Sequence, residues 1–198
     1  MTAATAHWVE SKPQPRKRIY FANHTSNGDF VLIWSALPRS LREMTRPVAG
    51  ADYWLKNALQ RFVARDVFGS VLIDRCRSAA ADEALRRMAD ALDEGASLIL
   101  FPEGTRNMTD MPLLPFKSGL YHLAKQCPDV EVVPVWLSNT GRVLPKGEII
   151  PVPLRCGVTF GAPLRLSPGE AKTAFLDRAS SALLALAPPT HLKPADVS

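Results

Sequence analysis

The sequence predicts an α/β domain with a single mixed, mostly parallel sheet flanked by helices. Three observations carry that expectation. Short apolar runs alternate with longer stretches of helical period. The two kinds follow one another at short spacing, the pattern of a layered α/β fold. The chain has 198 residues and is 46% hydrophobic, enough for one domain with a real core and too few for two large ones.

The elements follow in order. Residues 1–15 contain Pro13 and Pro15, show no periodicity and read as a flexible arm. The domain then spans residues 16–187. Ile19–Ala22 is a buried strand, and Phe30–Leu37 an apolar helix stopped by Pro38. Val71–Ile73 is a second short strand. In Ala81–Glu94, Leu85, Met88, Ala89 and Leu92 share one helical face, and Gly95 suits the residue just past the helix end. Ser97–Phe101 reads as a strand, Leu120–Gln126 as a helix, and Val130–Leu137 and Cys156–Phe160 as strands. Ser167-Pro168-Gly169-Glu170 matches a capping box with Pro at the first helical position. The helix after it presents Phe175, Ala179 and Leu183 and ends before Pro188-Pro189. Residues 188–198, with three prolines, read as a flexible tail.

Charge and cysteine content narrow the function. Lys plus Arg is 24 against 19 Asp plus Glu, a net +5. That surplus is too mild for a dedicated nucleic-acid arm and suits anionic ligands or an acidic lipid surface. Cys76, Cys127 and Cys156 are odd in number and form no CxxC pair, which disfavours a disulfide scaffold and suggests a reducing compartment. Met1–Glu10 does not read as a signal peptide. Phe30–Pro38 is about half the ~20 residues that a membrane-crossing helix needs. None of the four histidines, His7, His24, His122 and His191, stands at helical ligand spacing from another, so no metal site is expected.

Polar clusters follow the strands, where α/β sheets bind ligands. In Asn23-His24-Thr25-Ser26-Asn27-Gly28-Asp29, the His and Asp would sit roughly 140° apart on a continuous helix. The intervening turn formers let Asp29 fold back onto the imidazole, fix its tautomer and leave the other nitrogen as a base. In the competing reading Asp29 merely caps the helix and His24 is a loop residue. Phe101-Pro102-Glu103-Gly104-Thr105-Arg106 puts backbone amides and a guanidinium at a strand exit, suited to phosphate, or is a solvated turn with a surface Arg. Asp74-Arg75 closes another strand, as a second phosphate grip or a surface ion pair. Lys117 opens a helix beside Ser118-Gly119 and is either an anion ligand or a solvated cation. Val132-Val133-Pro134-Val135 reads as core.

In this order, NHTSNGD (Asn23–Asp29), GSVLIDR (Gly69–Arg75), FPEGTR (Phe101–Arg106) and VVPV (Val132–Val135) resemble the four blocks of the glycerolipid acyltransferase family, whose members include lysophosphatidate acyltransferase. FPEGTR is the most specific block. Leu72 departs from the Phe of many relatives. The resemblance implies the glycerol-3-phosphate acyltransferase-like fold and fatty acyl transfer from a thioester, acyl-CoA or acyl carrier protein, to the free hydroxyl of a lysophospholipid, first of all 1-acylglycerol-3-phosphate. It implies His24 as general base and Asp29 as its partner. Arg75 and Arg106 would grip the acceptor phosphate, with Glu103, Gly104 and Thr105 shaping the turn and Lys117 assisting. No cofactor is implied, because the thioester is a substrate. The oxyanion donors stay open among amides near Gly28 or Gly104.

Many relatives carry a hydrophobic helical segment before the His block, and none is read here. Docking on the cytoplasmic face of an anionic membrane then falls to exposed residues: Trp34, Leu37 and Arg39, or Tyr53, Trp54 and Lys56. In the competing reading the tryptophans are simply core, and Arg61, Phe62 and Arg65 are helix-surface residues with no membrane role. Two alternatives remain, another lyso-lipid acceptor such as lyso-ornithine lipid and an inactive membrane-surface binding module.

Overall fold

The computed structural model describes residues 5–26, 28–74, 80–138 and 157–188. Its strands form one seven-stranded sheet in the order β1-β7-β6-β2-β5-β3-β4. The strands are β1 (Thr5–Trp8), β2 (Arg18–Ala22), β3 (Thr45–Gly50), β4 (Val71–Ile73), β5 (Ser97–Leu100), β6 (Glu131–Ser138) and β7 (Gly157–Phe160). Strands β2 to β6 run parallel; β7 is antiparallel to β6, and β1 pairs parallel with β7.

Period-two alternation splits the core into two layers. Ile19 and Phe21 face one side of β2, Tyr20 and Ala22 the other, and all four are fully buried. The first side is covered by α5 (Ala80–Asp93), α6 (Gly119–Gln126) and α7 (Lys172–Leu184), which contribute Met88, Leu92, Leu120, Leu123, Phe175, Ala179 and Leu183. The second is covered by α1 (Asp29–Ala36) and α2 (Arg39–Arg42), through Phe30, Ile33 and Leu41, with Leu37 between them. Between β3 and β4 lie α3 (Ala51–Trp54), α4 (Ala58–Phe62) and a π-helical turn, Val63–Val67.

Three expectations change. The arm at residues 1–15 contains β1, because Trp8 stacks on Phe160 with ring centroids 4.1 Å apart and its backbone extends the sheet beyond β7. The stretch Ser167–Glu170 is a turn, and α7 starts only at Lys172. Gly169 takes φ +74°, which a helix cannot continue, although Glu170 does accept the Ser167 amide at 2.9 Å. Glu170 is claimed as well by Arg178, at 2.9 and 2.8 Å. Third, β3 and α3 had no expected counterpart, whereas Arg61, Phe62 and Arg65 do lie on helical turns, in α4 and the π-helical turn. Cys76, Cys156 and the tail from residue 189 onward lie outside the described residues.

Candidate active site

Register builds the site. Strands β2 and β5 are adjacent and parallel, with Phe21 opposite Leu100. Both chains leave the sheet at the same edge, and three residues on, His24 and Glu103 meet: the His24 amide donates to Glu103 Oε1 at 2.9 Å. On the other flank Asn23 is locked to β6, donating to the Leu137 carbonyl at 3.0 Å and accepting the Leu137 amide at 2.8 Å.

The turn formers after His24 bring Asp29 back. His24 Nδ1 lies 3.0 Å from Asp29 Oδ2, and the same oxygen accepts the amides of Thr25 at 2.7 Å and Ser26 at 2.8 Å. Asp29 is the first residue of α1 and fully buried, with its carboxylate at the positive end of the helix. Its side chain serves the turn and the imidazole, so the simple capping alternative falls away. The carboxylate selects the tautomer with hydrogen on Nδ1. That leaves Nε2 as an acceptor, and among the described residues it has no hydrogen-bond partner. The imidazole stacks on Phe101 with centroids 4.1 Å apart, which sets its plane. It keeps 15% of its side-chain surface exposed.

Glu103, expected to shape the turn beside the phosphate-binding arginines, is a buried scaffold residue at 1% exposure. Besides the His24 amide it accepts the Leu114 amide at 2.8 Å, pinning the loop after β5 to the site. Burial raises its pKa above the usual carboxylate value, with Asp29 adding to the rise and the two amides and His24 opposing it. The Asn107 backbone amide donates to the His24 carbonyl at 2.7 Å, so the residue after Arg106 is tied to the turn that follows β2. Thr105, Arg106 and Lys117 are exposed at this rim. Gly104 takes φ +71°, and a Cβ there would lie 2.8 Å from Lys117 Cε, so the lysine stem lies across the glycine. The amides of Gly28 and Gly104, considered as oxyanion donors, are engaged with Ser26 Oγ at 3.3 Å and the Phe101 carbonyl at 3.0 Å. Arg75 lies outside the described residues. Val132–Val135 is core in β6.

Sequence reasoning did not assign Phe101, Asn23, Asn107 or Leu114 a role. The first two lay inside the quoted motifs and were legible as their aromatic and amide members. The latter two act through backbone groups or backbone partners and leave no compositional signal. Of the docking residues, Leu37 is buried at 1%. Trp34 is half-buried, donates to the Arg42 carbonyl at 3.1 Å and packs edge-on to Phe68. The Trp34–Leu37 patch is therefore not a free surface. Among the described residues no helix is long and apolar enough to cross a membrane, and no group of three or more His, Cys, Asp or Glu could hold a metal ion.

A carboxylate-backed imidazole thus stands at the exit of a parallel sheet, and among the described residues no serine or cysteine is hydrogen-bonded to it; such an arrangement can serve as a general base. The acyltransferase family model matches residues 4–138, and the chain belongs to that family. It is 33% identical over 184 residues to a 1-acyl-sn-glycerol-3-phosphate acyltransferase of Chlamydomonas reinhardtii, covering 91% of this chain and 52% of that protein. It is 31% identical over 138 residues to the enzyme of that name from Haemophilus influenzae, covering 66% and 52%. The chain thus spans about half the length of these relatives. The crystal structure of the 1-acyl-sn-glycerophosphate (LPA) acyltransferase PlsC from Thermotoga maritima shares the fold, with a TM-score of 0.70 at 22% identity, over 92% of this chain and 70% of that one.

Proposed function

We propose that this protein transfers a fatty acyl group from a thioester, acyl-CoA or acyl carrier protein, to the free hydroxyl of 1-acylglycerol-3-phosphate, giving phosphatidate. The observation that carries the reading is the 3.0 Å contact between His24 Nδ1 and buried Asp29, which leaves Nε2 unengaged. The names of the relatives support the acceptor.

In the first step the acceptor oxygen attacks the thioester carbonyl as His24 Nε2 removes its proton. Asp29 stabilises the imidazolium that forms. The tetrahedral intermediate then collapses, the carbon–sulfur bond breaks, and the leaving thiolate takes the proton back from Nε2. No enzyme nucleophile is needed, because the thioester is already activated. Arg106 and Lys117, exposed at the rim, are assigned to the acceptor phosphate, with Arg75 as a further ligand on sequence grounds and Thr105 beside them. Bidentate guanidinium contacts would hold the hydroxyl in reach of the base. Work on a bilayer-embedded acceptor places the protein peripherally on the cytoplasmic face of the membrane.

The test is transfer by purified His24→Ala against a panel of lyso acceptors with both donor types. Loss of the base is expected to lower kcat about 10²–10⁴-fold while circular dichroism stays unchanged. A folded variant that keeps full transfer overturns the proposal. Equal turnover of an acceptor lacking phosphate reassigns Arg106 and Lys117.

A further inference from the structure

Helices α5, α6 and α7 turn Met88, Leu92, Leu120, Leu123, Phe175 and Leu183 inward. The segment Ala58–Val67 does the opposite. No residue of α4 is buried, and the π-helical turn that continues it buries only Ala64. Outward stand Leu59 at 72% exposure, Phe62 at 55% and Val67 at 49%. Leu59 and Phe62 are three apart and share a helix face. The turn that follows is π-helical, the Phe68 amide bonding back to the Val63 carbonyl at 3.2 Å, and Val67 stands exposed at its end.

The charges beside these apolar residues are mostly of one sign. Lys56, Arg61 and Arg65 are exposed, and Asp66 is the one carboxylate between Lys56 and Val67. An apolar face bordered by long cationic stems, whose heads can reach outward, fits an anionic bilayer interface. A uniformly apolar partner would leave those cations unpaired. The segment is also seated on the catalytic helix. Trp54 before it and Phe68 after it both pack edge-on against Phe30, with centroids 5.6 and 4.9 Å away, and Phe30 follows Asp29.

We infer that Leu59, Phe62 and Val67, bordered by Lys56, Arg61 and Arg65, form the surface that inserts into an anionic lipid interface. The surface rests on the proposed use of a membrane-borne acceptor, but vesicle binding reads it without turnover. The full chain is sedimented with phosphatidylcholine vesicles and with mixed phosphatidylcholine–phosphatidylglycerol vesicles. It is expected to bind the mixed vesicles and to bind the neutral ones much more weakly. Leu59→Ser/Phe62→Ser is expected to weaken that binding about tenfold or more. Arg61→Glu/Arg65→Glu is expected to weaken it by more than about fivefold per cation and to flatten its salt dependence. Leu184→Ser, a 37%-exposed site on α7, serves as control and should bind like the parent. Both double variants should keep the parent's circular dichroism, since neither pair of side chains is buried.

Parent-like binding by Leu59→Ser/Phe62→Ser overturns the assignment. So does a parent dimer in solution that this variant abolishes while vesicle binding persists, which would make the face a contact between two copies. Intact vesicle binding with no acyl transfer would instead defeat the proposed function and leave this surface standing.

Discussion

At the residue scale the site turns on one oxygen. Asp29 Oδ2 receives the His24 imidazole and the amides of Thr25 and Ser26, whereas Oδ1 is buried and has no partner among the described residues. Asparagine can therefore occupy the position with its carbonyl in place of Oδ2 and its amide in place of Oδ1. All three donors keep an acceptor; the negative charge is lost, and a buried NH2 without a partner replaces Oδ1 at a cost of about 1–3 kcal/mol. Asp29→Asn is expected to lower kcat about 10²–10⁴-fold with KM for the acceptor little changed, because the charge matters only once the imidazolium forms. Steady-state kinetics beside a thermal melt checks it. A loss of stability well beyond that cost would mean instead that Asp29 serves mainly to hold the turn. This pair was legible in the sequence because the four consecutive positions after the histidine, Thr25 to Gly28, favour a turn. The role of Glu103 was not legible. A carboxylate beside Gly, Thr and Arg looks like part of a ligand site, and only the β2–β5 register reveals that its two oxygens are consumed by the amides of His24 and Leu114.

At the element scale, the loop after β5 works because Gly104 lets the lysine stem pass. Gly104→Ala imposes a left-handed conformation on a residue with a Cβ, at a cost of about 1–2 kcal/mol. It also places that Cβ against the Lys117 stem, which must swing away. The expected result is a higher KM for the acceptor with kcat nearly retained, since His24 and Asp29 lie on another element. Where β2 meets β6, Arg18 is 2% exposed and bonds Glu131 at 3.0 Å through Nε, while Arg16 reaches the same carboxylate at 3.2 Å. Burial alone would raise the pKa of Glu131. The hydrogen bond and charge of Arg18, with the charges of Arg16 and Arg165, outweigh it and lower the value. A carboxyl whose folded pKa is lowered contributes stability above the unfolded value of about 4.3. That contribution disappears as pH falls through the lower folded value. Denaturant melts from neutral pH down into that range should show the loss, and Glu131→Gln should lack this part of it. At neutral pH the variant should be less stable by about 3–5 kcal/mol, because Arg18 stays buried without its partner charge.

At the scale of the whole molecule, the legible elements were those whose pattern stands alone. Helix α5 shows an unbroken amphipathic period, and β2, β5 and β6 are nearly continuous apolar runs, as strands covered on both faces must be. Strand β3, Thr45–Gly50, carries Arg46 and Pro47 and owes its place to the neighbours on either side, β5 and β4. Strand β1 owes its place to Trp8 finding Phe160, a contact between opposite ends of the chain that no local window contains. That difference separates stability from chemistry. The order β1-β7-β6-β2 sets two strands between β1 and the strand that delivers His24. Trp8 is half-buried, so Trp8→Ala removes a stacked ring from the sheet edge and should cost about 1–3 kcal/mol. For a domain of this size each kcal/mol lowers Tm by about 2–4 °C. Asn23 holds β2 to β6 through the Leu137 backbone, independently of the β1–β7 edge, so kcat and KM at temperatures well below the melt should remain those of the parent. Calorimetry paired with an acyl-transfer assay decides it. A drop in kcat without a drop in Tm would show that the edge of the sheet, and not its centre alone, sets the position of the imidazole.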